Sequence, residues 1–296
     1  MTRPIRILLQ TTIPRTEDDW SIERFSILRD WLASLEDAEG SRLCEVTARD
    51  REAGGDDPVL SALDASDFDE LWLFAVDTGD GLTKADCRGI TRFRQRGGGL
   101  LATRDHEDLG SCLCTLGGVG AAHFFHTLNP EPDESRRCAD DTATTNISWP
   151  NYHSGSNGDF QEIAPAEPVH QLLRRDDASG GPLRFFPAHP HEGAVGVPAG
   201  EQTARVIATG VSLQTKRPFN LAVAFERATD THGNRLGRGI ADSSFHHFVD
   251  YNFDTDKGAP SFVAEPPGDG YRRDPAALED IKAYVRNLAL WLAPEK

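Results

Sequence analysis

Short apolar runs alternate with stripes of apolar residues spaced three and four apart over the first hundred positions. Ile5 to Gln10 is a compact apolar run and predicts a first strand, followed by a polar loop from Thr11 to Asp19. From Ser21 to Leu35 the apolar residues are Ile22, Phe25, Leu28, Trp31 (or Leu32) and Leu35, one stripe of helical period. Leu43 to Ala48 alternates weakly and predicts a second strand, and Leu71 to Val76 is continuously apolar, as in a strand covered on both faces. Thr83, with Asp86 three residues on, forms a capping-box pattern that opens a helix with the inner stripe Cys87, Ile90 and Phe93. Gly97 ends that helix, since glycine accepts the left-handed position beyond a helix terminus, and Leu100 to Thr103 follows as another buried strand. Strands alternating with helices imply a parallel sheet, because parallel neighbours need crossover connections.

The second half is less regular. Asn129 to Asp159 is rich in Pro, Asp, Ser, Asn and Thr without periodicity and reads as a long loop or insertion. Pro168 to Arg174 fits a short helix, and Arg184 to Phe186 is too short to assign. Ala204 to Thr209, Leu221 to Phe225 and Gly239 to Ala241 fit later strands of the same sheet or an antiparallel extension of it. Asp274 and Pro275 supply a cap and a first-turn proline for a last helix, with Leu278, Ile281, Val285, Leu288 and Leu292 on one stripe. Asp176 to Gly181 and Pro266 to Gly270 read as surface turns rather than linkers, and no internal repeat is visible.

Composition narrows the class. The chain has 296 residues, 38% of them hydrophobic, which suits one α/β domain with long insertions better than two small ones. Its formal charge of −16 argues against nucleic acid and anionic membranes as partners. No apolar run reaches the roughly 18 residues of a membrane span, and the first apolar stretch is too short for a secretory signal. Five cysteines at irregular spacing read as reduced thiols of a cytoplasmic protein.

The candidate chemistry falls in three clusters. Asp105-His106-Glu107-Asp108 follows the Leu100 strand directly, where α/β proteins place their ligands. A carboxylate beside a histidine suits acid/base work; the plain alternative is a helix cap beside a solvated histidine. His123 and His126, three apart, would share a helical face and could hold a metal, or be partly buried in their Ala-Phe-Phe setting. The third cluster runs from Asp242 to Asn252. As a strand it would set Asp242, Ser244, His246, Asp250 and Asn252 on one face and Phe245, His247, Val249 and Tyr251 on the other. Two weaker signals are His153 and the His189-Pro190-His191-Glu192 run, whose alternation could aim both imidazoles the same way. Cys112 and Cys114 lie inside a predicted helix and read as small buried residues. No Gly-x-Ser-x-Gly elbow, Walker loop or dinucleotide fingerprint is present, and Gly117-Gly118-x-Gly120 precedes no clear helix start.

Leu82-Thr83, Phe93 and Gly97-Gly98-Gly99, then Gly117-Gly118 before His123, then Phe245-His246-His247, together resemble the class I glutamine amidotransferase-like superfamily, and within it the ThuA-like (trehalose-utilisation) proteins. The resemblance covers about two thirds of the chain. It implies a flavodoxin-like three-layer α/β sandwich with a mostly parallel sheet, long loop insertions including one near 127–160, and a site at the elbow after the Leu100 strand. Glutamine amidotransferases carry a cysteine at that elbow and ThuA-like proteins a histidine. Here Arg104 or Asp105 stands there, with His106 two places late, so glutaminase activity is not expected. The leading expectation is a ThuA-like enzyme, a hydrolase or isomerase, acting on a small polar, carbohydrate-derived molecule. Asp105 and His106 would form its acid/base pair, with Asp242, His246 and His247 in the same pocket, and His123, His126 and His246 would be candidate ligands for a divalent metal. The alternatives are a non-catalytic ligand-binding or assembly protein on the same fold and a cysteine hydrolase using Cys112 or Cys114. The identity of any cofactor and homo-oligomer formation stay open.

Overall fold

The computed structural model describes residues 3–116, 118–137, 139–140, 147, 151–176 and 180–295, apart from the side chains of Cys114 and Thr115. In chain order the strands are β1 (Ile5–Thr11), β2 (Cys44–Arg49), β3 (Glu70–Phe74), β4 (Gly99–Thr103), β5 (His123–Phe124), β6 (Phe160–Glu162) and β7 (Ala164–Pro165). They continue with β8 (Phe185–Pro187), β9 (Ala194–Val195), β10 (Ala204–Val211), β11 (Pro218–Phe225), β12 (Ala228–Thr229), β13 (Arg235–Leu236) and β14 (Gly239–Asp242). The α-helices are α1 (Ser26–Ser34), α2 (Lys84–Gln95), α3 (Asp250–Phe253), α4 (Gly270–Arg273) and α5 (Leu278–Leu292).

The central sheet has the order β2-β1-β3-β4-β14-β11-β10-β7. Neighbours from β2 through β14 are parallel, so the first five strands follow the 2-1-3-4-5 order of the flavodoxin type. The remaining three strands extend the sheet antiparallel. Because successive strand residues point to opposite faces, the apolar runs divide between two cores. Ile7, Leu9, Trp72, Phe74 and Leu101 pack under α1 and α5, while Leu8, Leu71, Leu73, Leu100 and Ala102 pack under α2. The sheet is therefore the middle of three layers.

The predicted caps form. Thr83 Oγ1 accepts from Asp86 N at 3.2 Å, Thr83 N donates to Asp86 Oδ2 at 3.0 Å, and Gly97 ends the α2 segment at φ +96°. Other expectations need correction. The stretch from Ser21 opens as a 3-10 turn (Ile22–Phe25) before α1 begins, and the last helix likewise starts with a 3-10 turn at Pro275–Ala277. The helix expected around Cys112 is a 3-10 segment, Ser111–Leu116, and Pro168 to Arg174 contains only the 3-10 turn Gln171–Leu173. His123 lies on the two-residue strand β5, paired with β9, so it and His126 share no helical face.

The largest correction concerns Asp242 to Asn252. β14 ends at Asp242, opposite the last residue of β4, and on the β11 side Ser243 N still donates to Leu221 O at 2.9 Å before the chain leaves the sheet. Ser244 then caps a 3-10 turn at Phe245–His247, accepting from His246 N at 3.1 Å, and α3 follows. Asp250, expected in a polar row with His246, instead accepts Ser26 N at 3.1 Å and Ile27 N at 2.8 Å and anchors the start of α1. Residues 141–146 and 148–150 of the expected insertion, residues 177–179 of the Asp176 turn, and Gly117 of the glycine run lie outside the described residues.

One glycine sets how closely α2 can approach its neighbour. A Cβ on Gly89 would stand 2.0 Å from Leu60 O, a backbone atom that cannot swing aside. Alanine in place of glycine inside a helix normally stabilises by about 1 kcal/mol. Gly89→Ala is expected to do the reverse and destabilise by roughly 1–3 kcal/mol through overpacking, measured as a lowered urea midpoint.

Candidate metal and catalytic site

β4 and β14 run side by side and stop at the same level, so the chains leaving them emerge together at the carboxyl edge of the parallel sheet. Phe245 N donates to Arg104 O at 2.8 Å and ties the two exits to each other. A third segment, the loop after β8, joins them: Gly193 N donates to Ser243 O at 3.1 Å, and His189 N donates to Ser154 Oγ at 2.9 Å. Asp105, His246 and His189 meet at this junction.

Arg104 shapes the turn that presents Asp105. Its side chain is fully buried and folds back to donate to the carbonyl of Asp105 and, at 2.7 Å, to that of Glu107. Its guanidinium lies 4.0 Å from the centre of the Phe125 ring. Glu107 takes a left-handed φ of +47°, which turns the chain sharply after His106. Arg104 therefore holds the elbow, and Asp105 faces the site.

The ligating atoms of Asp105, His189 and His246 all lie within 4.8 Å of one another, and all three residues are buried. His189 Nε2 is 3.9 Å from Asp105 Oδ1, and His246 Nε2 is 4.0 Å from Asp105 Oδ2. The two imidazoles stack with centroids 3.7 Å apart and planes at 13°. Two imidazolium rings could not stack this closely out of water. Accordingly, burial, reinforced by His246 and His191, holds His189 well below the ordinary histidine range. Burial lowers His246 to about 4, against the opposing pull of Asp105 and Asn252. Neutral imidazoles are the form that binds metals. Ser244 links the two: its Oγ accepts from the backbone N of His246 and lies 3.1 Å from the ring Nδ1 of His189. A metal on His189 Nε2 places the ring proton on Nδ1, where this hydroxyl can accept it.

These groups open onto a pocket of about 370 Å³. His106, His191 and Glu265 line it on the polar side, Trp20, Phe262 and Val263 on the apolar side. His106 is half-buried with Nε2 3.8 Å from Asp105 Oδ2, and His191 Nε2 is 3.1 Å from Glu265 Oε1.

The other expected site residues lie elsewhere. His247 and Asp242 are completely buried and do not line the pocket. His247 Nδ1 is 2.7 Å from Asp242 Oδ1 and Nε2 is 3.0 Å from Glu192 Oε1. Despite burial, which would lower it, the flanking Glu192 and Asp242 carboxylates push His247 up to about 10, so the ring is an imidazolium at neutral pH. Glu192 also accepts from Gln161 Nε2 at 2.6 Å, Ser154 Oγ at 3.1 Å and Ser243 Oγ at 2.8 Å. This sealed network is a structural tie. His123 is also sealed, its ring nitrogens 3.1 Å from Val119 O and 3.2 Å from Ala102 O, and His126 is exposed. Neither joins the Asp105, His189 and His246 cluster. Cys112 is buried against Asp77, with Sγ 2.9 Å from Oδ2, as a small buried residue should be, and the Cys114 side chain lies outside the described residues. His189 and His191 had a signal in the alternation around Pro190. Glu265 had none, lying in an irregular stretch among prolines.

No family model matches the chain, and no curated protein matches it. Among solved structures it is similar to a ThuA-like protein from Bacteroides uniformis (10% identity, 99% of this chain and 93% of that one, TM-score 0.49). It is also similar to a cytoplasmic protein from Salmonella typhimurium (9% identity, 98% and 100%, TM-score 0.48). A third is the glutaminase domain of CTPS from Trypanosoma brucei (14% identity, 95% and 94%, TM-score 0.44). Among the described residues no helix is long and apolar enough to cross a membrane.

Two outcomes follow from the contrasting histidines. His247→Ala leaves two buried carboxylates facing one another and is expected to cost roughly 3–5 kcal/mol in denaturant unfolding. The stabilisation His247 gives is fully present below its unfolded value of 6.5 and is lost as pH rises through about 10. His246 has the opposite sign. With a folded value near 4 against 6.5 unfolded, it contributes stability above pH 6.5 that drains away as pH falls toward 4. Urea midpoints of the metal-free protein at pH 7 and pH 4.5 should therefore differ less in His246→Gln than in the wild type.

Proposed function

We propose that this chain is a ThuA-like, divalent-metal-dependent enzyme that hydrolyses a small polar substrate in the cytoplasm. The observation that carries the reading is the buried convergence of Asp105, His189 and His246 within 4.8 Å at the strand exits. The donor set suits zinc or a similar ion, and three protein ligands beside an open pocket are the pattern of a catalytic rather than a structural metal. A divalent ion bound there would supply Lewis-acid chemistry, polarising a carbonyl or lowering the pKa of water toward 7.

The chain's own groups supply the remainder. His106, beside Asp105 and open to the pocket, accepts the proton of the attacking water at Nε2. His191, held by Glu265, stands on the pocket wall to carry a proton to the leaving group. Trp20, Phe262 and Val263 give the substrate an apolar wall. The described lining includes no lysine or arginine, so the pocket suits a neutral or cationic substrate, and a neutral carbohydrate derivative fits both this charge and the ThuA-like resemblance. A ligand-binding protein without catalysis is the second reading, favoured by the elbow itself, where buried Arg104 precedes Asp105 and no thiol or hydroxyl nucleophile stands.

Purified, untagged protein analysed by plasma mass spectrometry is expected to carry near-stoichiometric zinc, manganese or iron. Asp105→Ala and His189→Ala should lose it, and Ser244→Ala should weaken metal binding by about 10- to 100-fold. A wild-type protein that holds no metal after dialysis against zinc and manganese would overturn the reading.

A further inference from the structure

A second group of potential donors lies on the open side of the Asp105, His189 and His246 cluster. Asp105 sits between two histidine pairs. The stacked pair, His189 and His246, is on one side; His106 and His191 are on the other, edge to face with ring centroids 5.2 Å apart. The Asp105 carboxylate meets both: Oδ1 is 3.9 Å from His189 Nε2, while Oδ2 lies between the pairs, 4.0 Å from His246 Nε2 and 3.8 Å from His106 Nε2. The pairs adjoin, since the His189 and His191 rings are 5.5 Å apart. Glu265 reaches in from the pocket wall to within 3.1 Å of His191 Nε2.

We propose that the site is dinuclear, with a second divalent cation held by His106, His191 and Glu265 and with Asp105 shared between the two ions. The inference rests on the metal-dependent reading above and changes one part of it: with a second cation bound, His106 and His191 would serve as its ligands in place of the proton-transfer roles given to them there. Two-metal sites commonly hold their ions about 3.5–4 Å apart, and one carboxylate with histidines on both flanks suits that spacing. Charge points the same way. Asp19, Asp105 and Glu265 all line the pocket, with no lysine or arginine in the described lining, and such a set of acidic groups favours bound cations. Glu265 is a quarter exposed in its side chain and can rotate to complete the second set, whereas the buried first set is already gathered.

The test is the number of ions bound. Metal-free protein dialysed against manganese should take up two equivalents, and the doubly loaded form should show the spin-coupled electron paramagnetic resonance signal of neighbouring manganese ions. Glu265→Gln and His191→Ala should each hold one equivalent and lose the coupled signal, with far-ultraviolet circular dichroism unchanged. Saturation of the wild type at one equivalent, with the two variants binding as the wild type does, overturns the second site and leaves the mononuclear reading standing. Failure of the wild type to bind any manganese or zinc overturns both.

Discussion

The His247 imidazolium, held between Asp242 and Glu192, is the constraint on which the site depends. It joins the end of β14 to the loop after β8, two segments far apart in sequence that each carry one histidine of the proposed metal centre. A cation with no exposure is tolerable only because a carboxylate meets each ring nitrogen. Glu192 in turn gathers Ser154, Gln161 and Ser243, so one buried ion cluster sets the relative position of several irregular segments. Where backbone ladders cannot fix geometry, this network does.

Neighbouring residues of the same type consequently do opposite work. His246 and His247 are adjacent on a 3-10 turn that points them in different directions. His247 meets two carboxylates and is driven to the charged form. His246 is buried without a carboxylate on each nitrogen, and burial drives it to the neutral form. The sealed tie holds the backbone, and that backbone holds the open site. Arg104 has a comparable role on the other strand exit, spending its guanidinium on the carbonyls of the turn that presents Asp105.

The candidate site is partly legible in the sequence. Asp105 and His106 were visible because a buried strand runs straight into them, and His246 because the Asp242 to Asn252 stretch is too polar for a plain core strand. Extending a period of two through that stretch misassigned Asp250 and grouped Asp242 with the site. Strand alternation holds only while the chain stays extended, and Ser244 caps a 3-10 turn two residues after β14 ends. His189 had only the alternation around Pro190 to recommend it. Glu265 had no signal at all, since its place follows from how the segment before α4 folds over the pocket.

Local patterning alone determined the alternating strands and helices, the capping box at Thr83, the stop at Gly97 and the parallel character of the first sheet half. Those features follow from periods and caps that act within a few residues. The tertiary structure decided which histidines are neutral, which is charged and which meet Asp105. Each depends on burial and on partners dozens of residues away, as with His189 and Asp105, and no local period encodes such a distance.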